Sequence, residues 1–440
     1  MNLPFRSLPA NVARTGVAWI GGVLAVVSLA GLAGRAHAQS ENGVPPIVIG
    51  VVAPERPEAD LVADAVDRAV RQGATMVAEE FGLNATMLGI DFGVPIGVAA
   101  DAATAVAEAQ RLVDEEGAFA LVGGWGGLEI ADALSEWSAE RGVPFLNAGE
   151  SADVLRNEAC KPTTFHVEPS DAMYLDAMAG WYVRSGFRRW FVLRSDDARG
   201  EALHERARWS LNERHFGVRI VGDEAVADTG EVEDVARRIR RANADLVVLL
   251  LSAEEQLGWL AALEAEGLEL PVAAHPDAET QTRTFMAASR DAAPTLGAGQ
   301  RILAFEATLD AYGAREINAR YRARWEEPMD PPAWAAYQAV KILYEAAFFG
   351  RSTAASDVLG RLTAEGAVFD LWKGIGATFR PWDRQLRQSM YLVEIREQEL
   401  EPFRLGLLVG ELPAIYLPGT DPTERLDQIG DLANRSDCRR

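Results

Sequence analysis

Ile47-Val48-Ile49-Gly50-Val51-Val52 is a short β-branched run that ends in the loop residues Pro54 to Pro57. A helical stripe follows through Leu61, Ala65, Val66, Ala69, Val70, Met76, Val77 and Phe81, closed by Gly82. The same strand-then-helix order continues along the chain. Asp101 opens a second amphipathic segment carrying Ala105, Val106, Leu112 and Val113. Ala118 to Val122 reads as a strand, Ile130 to Trp137 as a helix and Val143 to Leu146 as a strand. Beyond the punctuating run Lys161-Pro162-Thr163-Thr164 the alternation resumes. Tyr174 to Val183 is helical, Trp190 to Leu193 a strand, Leu203 to Phe216 a helix and Val218 to Val221 a strand. Leu246 to Leu251 is the most buried-looking strand, and Leu257 to Leu263 is a helix leading through Gly267 to Pro271-Val272-Ala273-Ala274. Alternation of this kind means βαβ units and parallel sheets covered on both faces.

So many strands crowd a single sheet, so the fold class is α/β with two doubly wound parallel-sheet lobes and a loop-rich C-terminal tail. The expected division is residues 45–165 with 305–372 in one lobe, 166–304 with 373–400 in the other, and 401–440 as the tail. Residues 313–366 read as mainly helical, and Phe379 to Asp383 with Met390 to Ile395 as a β-hairpin. A hinge is expected near residues 165–168, 303–306 and 371–376.

At 440 residues and 48% apolar, the chain can bury two sizeable cores. Its 43 basic and 65 acidic residues give a net charge of −22, which argues against phosphate neutralisation on a nucleic acid and against adhesion to an anionic membrane surface. Arg6 and Arg14 precede an uncharged, mostly apolar stretch from Gly16 to Gly34, and Ala36-His37-Ala38 fits a small-x-small cleavage site. Residues 1–38 therefore read as a signal peptide cleaved after Ala38, leaving 402 residues of net charge −25; an uncleaved anchor is the competing reading. No later segment is long and apolar enough to span a membrane. In an exported chain the two cysteines, Cys160 and Cys438, permit one disulfide, read as a staple that pins the tail.

Catalytic signatures are missing: there is no Gly-x-Ser-x-Gly elbow, phosphate loop, dinucleotide fingerprint or His-Glu-x-x-His. The five histidines show no pair at metal spacing, and no cofactor is called for. Ligands of open parallel sheets bind beyond the carboxyl ends of the strands, which selects loops without any motif. In the first half these are Ala53 to Asp60, Gly123-Gly124-Trp125-Gly126-Gly127 and Asn147-Ala148-Gly149-Glu150-Ser151. Glycines there let a ligand approach the backbone, and helix N-termini supply free N–H groups, although Trp125 also fits a packed strand-to-helix turn. In the second half the candidates are Asp197 and Arg199, Ser252, and His275-Pro276-Asp277 with Asp277 as the carboxylate. The charges around Asp197 also suit a solvated rim, and Ser252 suits a helix N-cap. Two lobes facing each other across these loops form a small-molecule cleft.

At these residues the sequence resembles the type I periplasmic substrate-binding proteins of ABC transporters, the branched-chain amino-acid-binding kind. The likeness rests on strand-loop-helix order and on Ala120-Leu121-Val122-Gly123-Gly124 and Val143-Pro144-Phe145-Leu146-Asn147-Ala148. A narrower likeness, carried by Phe165 to Met173, Trp372-Lys373-Gly374, Phe379 to Trp382, Gln385 to Gln388, Thr423 to Leu432 and Cys438, is to a subgroup associated with pyrroloquinoline-quinone-dependent alcohol dehydrogenase systems. The resemblance implies a monomeric, non-enzymatic periplasmic protein that closes on a small ligand and docks on a permease. The family usually holds a ligand carboxylate with hydroxyls and backbone N–H groups; Gly149 and Ser151 fit that pattern. The second loop lacks the usual serines, Arg199 replaces a common aromatic, and Ser252 replaces another; Asp277 is the nearest acidic partner for an ammonium group. Two other functions compete with transport: a ligand-sensing partner of a receptor or dehydrogenase, and a secreted enzyme using the acids of the same cleft.

Overall fold

The computed structural model describes residues 43–55, 60–396, 404–414, 417 and 419–438. The signal peptide expected at residues 1–38, with its expected cleavage point, and residues 56–59 of the first candidate loop lie outside them.

The first lobe is built as the opening stretch predicts. Strand β1 (Ile47–Pro54) runs into helix α1 (Leu61–Met87), whose start is fixed by Asp60 accepting hydrogen bonds from the amides of Val62 and Ala63. β2 (Phe92–Gly93), β3 (Ile96–Ala99), α2 (Ala102–Asp114), β4 (Ala120–Gly123), α3 (Leu128–Arg141), β5 (Phe145–Asn147) and β6 (Thr164–His166) follow. The sheet order is β2-β1-β4-β5-β6, with β3 on the second half of β1, and every pairing is parallel.

The second lobe takes α4 (Asp171–Arg184), β7 (Arg189–Ser195), α5 (Ala198–Glu213), β8 (Arg219–Val226), α6 (Val232–Ala242), β9 (Leu246–Leu250), α7 (Ala253–Ala265), β10 (Val272–Ala274) and α8 (Arg283–Ala292). Its parallel sheet has the order β10-β9-β7-β8. β9 is buried along its whole length, as a continuous apolar run in an inner parallel strand requires.

After β11 (Gly299–Leu303) the chain returns to the first lobe as α9 (Ala314–Trp325), α10 (Pro331–Gly350) and α11 (Ala355–Leu362). α10 is apolar nearly all round and is buried on nearly all sides. It packs closely on α1 at Gly73, where a Cβ would meet the Ala333 carbonyl oxygen at 2.2 Å.

The region beyond residue 370 departs from expectation in pairing. Met390–Ile395 is a strand, β12, but it does not form a hairpin with Phe379–Asp383. It lies antiparallel between β11 and β13 (Gly406–Leu412), while Phe379 makes one isolated bridge to Leu386. Period-2 alternation explains the arrangement. Tyr391, Val393 and Ile395 enter the first lobe's core, and Met390 and Leu392 enter the second's, so this small sheet is shared between both cores. Phe379 packs edge-on against Phe165 and Phe369, 5.0 and 5.4 Å between centroids, which keeps the chain with the first lobe beyond residue 373.

The inter-lobe connections pass through His166–Glu168, Leu303–Glu306 and Gln385–Ser389. The amide of His166 donates to the Arg384 carbonyl at 3.0 Å, and that of Leu386 to the His166 carbonyl at 2.9 Å. The Gln385 side chain donates to the Glu168 carbonyl at 2.9 Å. Residues 371–376, expected to be the third connection, pack beside these, with the Lys373 ammonium on the Ala304 carbonyl and 4.0 Å over the Trp334 ring.

Among its described residues the tail beyond Pro402 contributes β13 and one short helix, α12 (Pro422–Leu426), and is otherwise irregular. It starts on the second lobe, where the Gly430 amide donates to buried Asp176 at 2.9 Å. It ends on the first, where Cys438 is bonded to Cys160 across 278 residues. Among the described residues no helix is long and apolar enough to cross a membrane.

A crosslink closing so long a loop removes chain entropy worth up to about 5 kcal/mol. The double variant Cys160→Ser/Cys438→Ser is therefore expected to melt several degrees below the oxidised protein, as read by calorimetry. An unchanged melting temperature would show that the tail is held by its noncovalent contacts alone.

Candidate functional site

The carboxyl ends of β1, β3, β4 and β5 face those of β7, β9 and β10, and the loops between them enclose a cleft of about 610 Å³. That volume suits a small organic molecule. Of the ten ligand-binding candidates, nine line it: Gly126, Gly127, Gly149, Glu150, Ser151, Asp197, Arg199, Ser252 and Asp277.

Trp125 is the exception. Its ring is 1% exposed and lies directly beneath Gly149, where a Cβ would come within 2.4 Å of the indole. The packed-turn alternative is thus the observed one, and the tryptophan shapes the floor of the third loop from below. Gly126 and Gly127 have φ of 95° and 103°, a backbone that L side chains resist, which accounts for the glycines.

Two lining residues carry the local duties that their sequence context allowed. Ser252 caps α7 in a reciprocal box with Glu255, and Asp197 caps α5 by accepting from the Gly200 amide at 2.7 Å. Ser195 also donates to Glu255.

The electrostatic centre is a residue that the candidate list did not contain. Asp171, at the N-terminus of α4, is 3% exposed. Arg199 donates to both of its carboxylate oxygens, one at 2.7 Å, and His275 Nε2 lies 3.2 Å away. Burial opposes the charge on Asp171, but Arg199 and His275 outweigh it and hold the carboxyl well below the usual range. Arg199 also donates to Ser151 Oγ at 3.1 Å and stands 3.8 Å from Glu150, so it reaches from the second lobe to the first.

The third loop satisfies itself. Asn147 Oδ1 accepts from the amides of Gly149 at 3.2 Å and Glu150 at 2.9 Å, and the Glu150 carboxylate accepts from Ala152 at 2.7 Å. Burial pushes the Glu150 carboxyl up, with Arg199 pulling against it.

On the opposite wall Glu279, also absent from the candidate list, lines the cleft two residues after Asp277. Burial, followed by Asp277, Asp60 and Glu254, pushes its carboxyl up to about 7. Asp60 belongs to the first lobe, so carboxylates face one another across the opening. Glu55 lines the first-lobe rim. Beneath the cleft at the hinge, burial pushes Glu168 up to about 8 even though Tyr174 donates to it at 2.6 Å. The spacing Asp-x-Glu at 277–279 was the available signal for Glu279. Asp171 offered none, because its partners come from segments 28 and 104 residues further on.

Among the described residues no group of three or more His, Cys, Asp or Glu side chains is arranged to hold a metal ion. What the cleft offers a ligand is two walls of different origin, carboxylates on both, and apolar surface from Val66, Ile130, Leu203 and Leu250.

Residues 46–399 match the family model described as periplasmic binding protein. No curated protein sequence matches the chain. Several solved structures share its fold. A branched-chain amino acid ABC transporter periplasmic ligand-binding protein from Burkholderia xenovorans is 17% identical with a TM-score of 0.72, covering 84% of this chain and 96% of that one. A periplasmic binding protein from Burkholderia mallei is 19% identical with a TM-score of 0.69, covering 89% and 98%. An ABC transporter solute-binding protein from R. palustris, in complex with benzoate, is 17% identical with a TM-score of 0.65, covering 83% and 96%.

Removing Arg199 leaves Asp171 buried with much of its compensation gone. Arg199→Ala is expected to destabilise the protein by roughly 2–3 kcal/mol, less than a fully enclosed pair costs because the arginine side chain is 35% exposed. Adding Asp171→Asn should recover part of the loss in urea denaturation. Additive losses in the double variant would contradict the pairing.

Proposed function

The chain belongs to the periplasmic binding protein family, and on that premise we propose that it is the solute-capturing component of an ABC transporter. The observation that carries this reading is the 610 Å³ cleft lined by strand-end loops from both parallel sheets. A ligand seated on one wall completes its contacts only when the other wall meets it, so binding favours the closed arrangement. The three connections and the shared β11-β12-β13 sheet provide the hinge, because backbone continuity there keeps both lobes in register while they rock. The closed form then docks on a membrane permease. The protein works in the periplasm as a monomer and carries out no chemistry on its ligand.

The stretches Phe165 to Met173 and Trp372 to Gln388 favour the subgroup that accompanies quinoprotein alcohol oxidation. That likeness points to a pathway and to no particular ligand, with transport as the role.

Two measurements test this together. Small-angle scattering of the protein lacking residues 1–38 should show a smaller radius of gyration on saturation with a ligand found by calorimetric screening. Affinity capture from a detergent extract should recover a permease in the presence of that ligand. Recovery of a histidine kinase or a quinoprotein instead would assign the protein to sensing, and turnover of the bound molecule would assign it to catalysis.

A further inference from the structure

A tail that only covered the surface would need one lobe to lie on. This one grips both within four residues, 428–431. On the second-lobe side the Gln428 carbonyl accepts from Arg214, just past α5, at 3.0 Å, and the Gly430 amide donates to Asp176 of α4 at 2.9 Å. Asp176 is buried and also accepts from Arg206 at 3.0 Å, so this anchor is charge-assisted. On the first-lobe side the Ile429 carbonyl accepts from Arg380 at 3.5 Å, and the Asp431 carbonyl from the Trp382 indole at 3.1 Å. Gly430 is the narrowest point. Its φ is 85°, and a Cβ there would come within 2.5 Å of the Arg380 guanidinium and 2.8 Å of the Met173 side chain. Met173 belongs to α4, while Arg380 sits in the segment that packs with the first lobe and is held in place by buried Asp383. The turn is wedged between the lobes.

Beyond the wedge the chain keeps to the same path. The Arg435 guanidinium lies 4.0 Å from the centre of the Trp209 ring on α5, Ser436 donates to the Trp382 carbonyl at 3.0 Å, and the Asp437 amide donates to Asn157 at 3.3 Å. The bond from Cys438 to Cys160 then fastens the end to the first lobe. The stretch from Asp431 to Cys438 reaches at most about 25 Å even when fully extended. Arg206 adds to the junction, standing 3.4 Å from Asp431 of the tail and 4.0 Å from Asp153 of the first lobe. Each contact alone stabilises the fold. Together they bear on motion, because lobes separating at this edge must pull the 428–431 turn off Asp176, pull it off Arg380, or draw the short chain taut against the disulfide.

We infer that residues 428–438 form a strap that limits how far the two lobes open, with the Gly430 turn as its wedge and the Cys160–Cys438 bond as its fastening. The inference rests on the solute-capture reading, in which the lobes rock about the hinge, and adds a stop to that motion. An open form restricted in this way has less conformational freedom to lose when a ligand closes it.

The test needs no ligand. Nitroxides carried on keto-bearing amino acids, which leave the cysteines alone, replace exposed Ala103 on the first-lobe rim and exposed Glu254 on the second. Double electron–electron resonance then reads the width of the cleft mouth in the full chain with its disulfide intact, in Cys160→Ser/Cys438→Ser and in Gly430→Ala. Both variants should lengthen the mean distance by at least about 2 Å and broaden its distribution. If Gly430→Ala prevents folding, an insertion of about six glycine and serine residues between exposed Leu432 and Ala433 replaces it. That insertion keeps both ends fastened, lengthens the strap by up to about 20 Å and should widen the mouth equally. A lower melting temperature with unmoved distances would identify a staple and overturn the strap, and so would widening in only one variant, since a strap needs both ends. Solute capture is judged separately by the scattering change on ligand saturation. Compaction there with unmoved distances here sinks the strap alone, whereas widening here without compaction there keeps the strap and removes the capture reading.

Discussion

A carboxylate buried where two lobes meet has to be paired where it lies, and Asp171 sets the terms for everything around it. Its charge persists because Arg199 and His275 approach from two other segments of the second lobe. That demand fixes α5 against α4 and orients the loop after β10. It also draws Arg199 towards Ser151 and Glu150, so one guanidinium stabilises the second lobe and touches the first. The cost falls on ligand recognition. A positive charge that looks available in the sequence is neutralised by a partner beneath the surface.

The same logic governs motion. The closure proposed above needs connections that bend without losing pairing, and the shared antiparallel sheet gives its two faces to two cores. The hinge interior is polar: Arg156 donates to Gln385 and to the carbonyls of Glu150, Ala152 and Glu168, tying the first lobe to the connecting segments, while Glu306 Oε2 and Gln388 Oε1 are buried there without a partner among the described residues. The tail adds a second tie, from Asp176 in the second lobe to Cys160 in the first. These contacts form a hydrogen-bonded axis about which the proposed closure would turn.

Much of this was legible in residue order. The β-branched run at 47–52, the buried strand at 246–251 and the alternating stripes between them gave two parallel sheets, because period and length are local properties. The loops at strand ends followed from topology alone, and nine of the ten candidates they supplied line the cleft. What was not legible depended on distant partners. Met390–Ile395 is recognisable as a strand, but its neighbours are 299–303 and 406–412, chosen by which core each face enters. Trp125 reads equally well as wall or floor until Gly149 is seen to lie over it. Arg199 reads as a free cation until Asp171 is placed against it, and Asp171 has no local signature of that role.

The central claim is that the charge on buried Asp171 is held in place by Arg199 and His275. The most direct measurement is the titration of the Asp171 side-chain carboxyl by carbon-detected nuclear magnetic resonance, in the unaltered protein and in Arg199→Ala. Burial raises this carboxyl and its two partners outweigh burial, so the midpoint should lie well below the ordinary carboxylate range. Without Arg199 the burial cost is less opposed, and the midpoint should rise. A midpoint in the ordinary range, or one that the substitution leaves unmoved, would contradict the account.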